Sequence, residues 1–237
     1  MNVPVKVAVI YYSATGITHQ LALAVREGAE AAGAEVRLHK VREVASDEAI
    51  ASNDGWSSHR LATLDVAEAT HDDLHWAEAL IFGTPSRFGN IAAPLKLFID
   101  TTGPLWLEGL LADKVVSAFV STGTFHGGQE STLLALYNTM YHWGSIIVPP
   151  GYTDPVQWLA GNPYGASSTS NNGKLPPSGV EIRAARYLGR RTTEMARRLR
   201  AGAAVVTTES LRDQLARSSP VDSRPFFDRS TEPAGGQ

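Results

Sequence analysis

Val5-Lys-Val-Ala-Val-Ile-Tyr-Tyr-Ser-Ala-Thr-Gly-Ile-Thr18 runs an apolar segment directly into a hydroxyl-rich turn, and a helical pattern from Leu21 to Ala32 follows. Between Val5 and Tyr12 only Lys6 is charged. A continuous rather than alternating apolar run predicts a central parallel strand buried on both faces. Ser13, Thr15 and Thr18 then surround Gly16. A helix N-terminus presents unpaired N–H groups and partial positive charge, so such a turn suits a phosphate. Neither G-x-G-x-x-G nor G-x-x-x-x-G-K-[ST] is present, which favours a ribityl monophosphate over a dinucleotide or a triphosphate. Ser and Thr are also ordinary helix caps, so the turn needs support from elsewhere in the chain.

Four further β-rich segments follow, Glu35 to Val41, Ala79 to Thr84, Val115 to Ser121 and Ser145 to Pro149. They alternate with helical patterns over Ile17 to Ala32, Pro94 to Thr101, Gln129 to Trp143 and Val180 to Arg200. This alternation predicts an α/β fold, a parallel sheet with helices on both faces. Five strands at this spacing favour a flavodoxin-like three-layer sandwich of order 2-1-3-4-5, whose ligands bind beyond the carboxyl ends of the strands. Two segments stand outside that frame: Ala45 to His75, with Trp56, and Gly151 to Gly179, with Trp158, Tyr164 and the polar run Ser167-Ser-Thr-Ser-Asn-Asn-Gly173. Their aromatic residues point to packing against a ligand or a second subunit. Residues 1–200 are expected to form the domain and 201–237 a C-terminal extension, solvated or partner-bound.

The 237 residues are 43% hydrophobic, enough for one substantial core, and the formal charge of −3 argues against a nucleic-acid footprint. With no cysteine, disulfides, thiolate catalysis and Cys-based zinc sites are excluded. Asp47, Glu48, Asp72 and Asp73 show no histidine–carboxylate spacing, so they read as solvated charges and no metal is expected. Neither a signal-peptide pattern nor an apolar window long enough to span a membrane is present, which makes a cytoplasmic location the expectation.

After the third strand comes Gly83-Thr-Pro-Ser-Arg-Phe-Gly-Asn90, and after the fourth Ser121-Thr-Gly-Thr-Phe-His-Gly-Gly128. In the order 2-1-3-4-5 these loops and the opening turn share one rim. Loops rich in Gly, Pro and Ser bring backbone donors close to a ligand, as the polar edge of a flavin requires. These blocks, with Tyr11-Tyr-Ser13, Leu105-Trp106, Gly127-Gly-Gln-Glu130, Gly151-Tyr152, Pro163-Tyr-Gly-Ala166 and Ala185-Arg-Tyr187, occur in one order. Over about the first 200 residues the chain resembles the WrbA-type FMN-dependent NAD(P)H:quinone oxidoreductases.

That resemblance implies FMN as cofactor and NAD(P)H and quinones as substrates. It places Ser13, Ala14, Thr15, Gly16, Ile17 and Thr18 at the phosphate and ribityl chain, and Ser86, Arg87 and Phe88 along the ring. Ser121, Thr122, Gly123, Thr124, Phe125, His126 and Gly127 fall at the pyrimidine edge, where backbone N–H groups of Thr124 to Gly127 would stabilise negative charge. His142 matches a histidine that touches the flavin and serves as the catalytic group toward the quinone, and Trp106 an aromatic of the substrate pocket. The family site is completed by a neighbouring subunit, implying a homotetramer, with a dimer as the alternative. A family tyrosine that contacts the nicotinamide nucleotide falls at Thr15, which leaves the choice between NADH and NADPH open. Two other readings compete: a flavodoxin-type electron carrier and a regulatory flavoprotein that binds a protein partner.

Overall fold

The computed structural model describes residues 3–202. In chain order its elements are β1 (Val5–Tyr11), α1 (Ile17–Ala31), β2 (Ala34–Lys40), α2 (Asp47–Ala51), α3 (Asp54–Ala62), α4 (His71–Trp76), β3 (Ala79–Arg87) and β4 (Asn90–Ile91). There follow α5 (Ala93–Asp100), α6 (Gly103–Leu107), β5 (Val115–Thr122), α7 (Gln129–Trp143), β6 (Ile146–Ile147), α8 (Pro155–Ala160), β7 (Ala166–Thr169) and α9 (Gly179–Gly202). The expected extension from 201 begins as the last residues of α9, and its remainder lies outside the described residues.

The parallel sheet runs β2-β1-β3-β5-β6, the flavodoxin-like order. Its fifth position is shared by two strands. β6 pairs with the start of β5 through Val115 and Ile146, whereas β7 pairs with its end through Phe119 and Ala166. The expected strand Ser145–Pro149 is therefore only Ile146–Ile147, and the chain leaves the sheet before resuming it as β7. β4 adds a short antiparallel pairing to the end of β3.

The continuous apolar run of β1 divides between two cores. Val5, Val7, Val9 and Tyr11 face α1 and α9, while Ala8, Ile10 and Tyr12 face the side covered by α4, α5 and α7. Alternate side chains of a strand point to opposite faces, so only a strand covered on both sides is apolar throughout. α1 and α9 approach so closely that a Cβ on Gly28 would collide with the Arg186 carbonyl oxygen. That contact has room for glycine alone.

The excursion before β3 is helical. Ser46 caps α2 by accepting from the Ala49 N–H, Asn53 caps α3 by accepting from the Trp56 N–H, and Thr70 with Asp73 forms a capping box on α4. Asp73 departs from the solvated reading. It is buried, and it accepts from Arg37 at 3.0 Å and from the Thr70 N–H at 2.8 Å, with His39 Nδ1 at 2.9 Å. Burial acts to raise its pKa, but the Thr70 N–H, His39 and Arg37 outweigh it and hold the carboxyl below the usual range. Asp47 instead forms an exposed pair with Arg60, as expected.

Asp73→Ala removes a cap and one partner of a largely buried pair, so a loss of about 2–3 kcal/mol is expected in urea unfolding. A carboxyl whose folded pKa is depressed contributes stability above its unfolded value of about 3.9 and loses it as pH falls through the folded value. The gap between variant and wild type therefore narrows in acid; a gap that widens there would contradict the assignment.

Candidate functional site

The carboxyl ends of β1, β3 and β5 meet around a cavity of about 220 Å³, lined from these loops by Ser13, Ala14, Thr15, Ile17, Thr18, Pro85, Ser86, Arg87, Ser121, Thr122 and Gly123. Gly16 is the N-cap of α1, in the left-handed region at φ 90°, and no side chain caps the helix. Its N–H donates to Ser13 Oγ at 3.1 Å, which closes the turn. The first turn of α1 carries no acidic residue. Uncapped N–H groups, hydroxyls and no opposing carboxylate make this end of the cavity suited to an anion.

Hydroxyl contacts lock the three loops together. Thr18 Oγ1 and Ser121 Oγ lie 2.8 Å apart, both buried, tying the start of α1 to the end of β5. Ser86 Oγ donates to the Gly127 carbonyl at 2.9 Å and accepts from the Gly89 N–H and from Thr132 Oγ1, which fixes the loop after β3 to that after β5. The Arg87 guanidinium is exposed and has no acidic partner among the described residues. Phe88 is fully exposed, in the left-handed region at φ 55°.

Beneath the first turn lies a cluster of rings. Tyr11 Oη and His19 Nδ1 are 2.5 Å apart, the His19 and His59 rings are 5.3 Å apart, and a Cβ built on Gly16 would lie 3.3 Å from His59 Nδ1. Burial first, then the neighbouring His19 and Lys40, pulls His59 down to about 4, so a neutral imidazole supports the turn. Burial also raises the Tyr11 and Tyr12 hydroxyls. Glu43 accepts from Tyr12 at 3.0 Å and from the Trp56 indole at 2.9 Å, fastening the excursion to the sheet. A larger cavity of about 560 Å³ on that side contains Lys40, Arg42 and Arg60 together with Glu43, Asp65 and Glu68. Its mixed charges give no single-sign field for a phosphate, so the smaller cavity is the better anion site.

The family model for NADPH-dependent FMN reductases matches residues 5–155. The chain belongs to that family. Over 176 residues it is 49% identical to an NAD(P)H dehydrogenase (quinone) of Deinococcus radiodurans, covering 74% of this chain and 88% of the relative. A second NAD(P)H dehydrogenase (quinone), from Aromatoleum aromaticum, is 43% identical over 206 residues, covering 84% and 99% respectively. Among solved structures, a WrbA-like flavodoxin from Agrobacterium tumefaciens superposes with a TM-score of 0.59 at 26% identity, over 82% of this chain and 98% of that one.

FMN, the cofactor of an FMN reductase family, fits the donor set of the cavity. A phosphate suits the uncapped, acid-free start of α1. Arg87 is among the residues that line the cavity, and Phe88, the next residue in the chain, is not. Gly16, Thr124, Phe125, His126 and Gly127 are not among the residues that line it. The Gly127 N–H already donates to the Thr124 carbonyl at 3.1 Å, so it is not free for a ligand.

His142 and Trp106 are not brought to this cavity. His142 lies in the last turn of α7, whose first turn adjoins the cavity rim, and 13 residues of helix separate the ends by about 20 Å. The two residues do meet each other: the Trp106 indole donates to the His142 carbonyl at 2.8 Å, and Trp106 is 43% exposed. Conversely, the cavity is completed by Asn53, Ser170, Asn172 and Gly173 from the two insertions. Sequence reading passes these over, because only the fold carries their segments back over the rim.

Proposed function

We propose that this chain uses bound FMN to pass two electrons from NAD(P)H to quinones, the two substrates alternating at one site in a ping-pong sequence. The observation that carries the reading is the convergence of three hydroxyl- and glycine-rich loops on an anion-ready cavity, in a chain 49% identical to an NAD(P)H dehydrogenase (quinone). FMN supplies a hydride acceptor for the nucleotide and an electron donor for the quinone.

Ser13, Thr15 and the first N–H groups of α1 hold the phosphate, and Ser86 to Phe88 orient the ring. The N–H groups of Thr124 to His126 and the Arg87 guanidinium favour negative charge at the pyrimidine edge. His142 and Trp106 act from a neighbouring subunit of a homotetramer, or of a dimer. The reach of about 20 Å from their own chain's cavity and the exposure of Trp106 support this arrangement. There His142 orients or protonates the quinone oxygen, and Trp106 lines its pocket. A cytoplasmic location and the lack of a nucleic-acid partner belong to the same reading and rest on composition and charge. No helix among the described residues is long and apolar enough to cross a membrane.

The FMN-loaded chain is expected to oxidise NADH or NADPH when benzoquinone is supplied, with parallel double-reciprocal lines. Oxidation of neither nucleotide in the presence of quinone would falsify the reading; intersecting lines would remove the ping-pong sequence.

A further inference from the structure

Ser170–Gly173 crosses the cavity as a strap. Ser170 is anchored, its N–H and Oγ both donating to the Thr122 carbonyl at 2.8 and 2.9 Å, and the Leu175 N–H closes the strap on the Ser170 carbonyl at 2.8 Å. Asn171, Asn172 and Gly173 are all left-handed, with φ of 47°, 55° and 82°. Asn and Gly are the residues that tolerate this conformation, so the strap is shaped by its own sequence.

The strap touches the loops on both sides. A Cβ on Gly123 would collide with Asn172 Oδ1, and one on Gly173 would lie 2.8 Å from Thr15 Oγ1. On the other flank of Thr15 a Cβ on Gly55 would lie 3.8 Å from Thr15 Cγ2. Thr15, half-buried, thus sits between Gly55 and Gly173, with the tight contact on the strap side. Asn53, at the head of α3, spends Oδ1 on the Trp56 N–H at 3.0 Å. Its amide nitrogen, and both polar atoms of the Asn172 side chain, have no partner among the described residues although both residues line the cavity.

We propose that Asn53 and the strap Ser170–Gly173 retain the cofactor by closing the phosphate–ribityl end of the site. This rests on reading the cavity as the FMN site. The strap joins the turn after β1 to the loop after β5, so a ligand held between them leaves when the strap lifts. The Asn53 and Asn172 amides, both on exposed residues that line the cavity, are donors that a bound anion can take up from water, which adds to the cost of lifting the strap. Covered at Thr15, the phosphate end leaves no path for a second nucleotide unit, which makes the site selective for a monophosphate.

The test uses FMN-loaded full-length chain, diluted while recovery of free-flavin fluorescence reports release. Asn172→Gly, which removes the amide and keeps the left-handed backbone at φ 55°, is expected to speed FMN release about tenfold with little change in the melting temperature of the flavin-free chain. Asn172→Asp, which sets a carboxylate toward the phosphate, is expected to speed it further and to weaken FMN more than riboflavin. Release at the wild-type rate from both variants would overturn the proposal. Equal losses for FMN and riboflavin in Asn172→Asp would overturn the assignment to the phosphate end. If the wild-type chain takes up no FMN, the reading of the cavity as the FMN site is overturned, and the proposal for the strap with it.

Discussion

Gly16→Val is expected to weaken FMN binding about 10²- to 10⁴-fold while the chain stays folded. At φ 90° an L residue is strained, and a β-branched one more so. Its Cβ would stand 3.3 Å from His59 Nδ1, leaving no space for the valine methyls. The turn relieves this by giving up the left-handed conformation, which re-aims the N–H groups at the start of α1. Charge-assisted hydrogen bonds contribute about 1.5–3 kcal/mol each, so losing two of them accounts for the expected range. The fold survives because α1 is held by Leu21, Ala22 and Val25 in the core beyond the turn. A flavin fluorescence titration, with circular dichroism as the check on folding, reads both quantities. Binding within about threefold of wild type, where two lost contacts of 1.5 kcal/mol predict far more, would remove this turn from the phosphate site.

The second large effect is complementation between two inactive variants. His142→Ala is expected to lower kcat/KM for the quinone about 10²-fold, the lower range for a positioned proton donor, with FMN binding intact. Gly16→Val lacks the flavin instead. If His142 acts across a subunit boundary, co-assembly at equal amounts pairs a flavin-competent cavity with an intact His142 in about a quarter of the sites. About a quarter of wild-type activity should then return. Mixtures that stay as inactive as their components would place His142 outside the reaction or confine it to its own chain. The structure makes this test informative, since the length of α7 separates His142 from its own cavity.

Thr15 changes meaning between sequence and structure. In the sequence it is a hydroxyl in a phosphate turn, standing where the resemblance expects a tyrosine. In the structure it is also the point where Gly55 and Gly173, from two separate insertions, close over the turn. The turn is legible locally, but the covering residues lie 40 and 158 positions further along the chain. Asp73 teaches the same lesson in reverse. Among acidic neighbours it reads as a solvated charge, and only the placement of Arg37 and His39 on β2 makes it a buried cap.

What the sequence by itself determined is everything encoded by local pattern: the continuous apolar strands, the helices between them, the strand order their spacing favours, and the composition of three loops on one rim. These follow from periodicity and turn chemistry, which act over a few residues. The tertiary structure alone decided which distant segments share that rim. It split the fifth strand into β6 and β7, returned Ser170–Gly173 across the cavity, and set Trp106 against His142 away from that cavity. Those outcomes depend on packing between segments far apart in the chain, where burial and sterics choose among placements that local sequence leaves equally open.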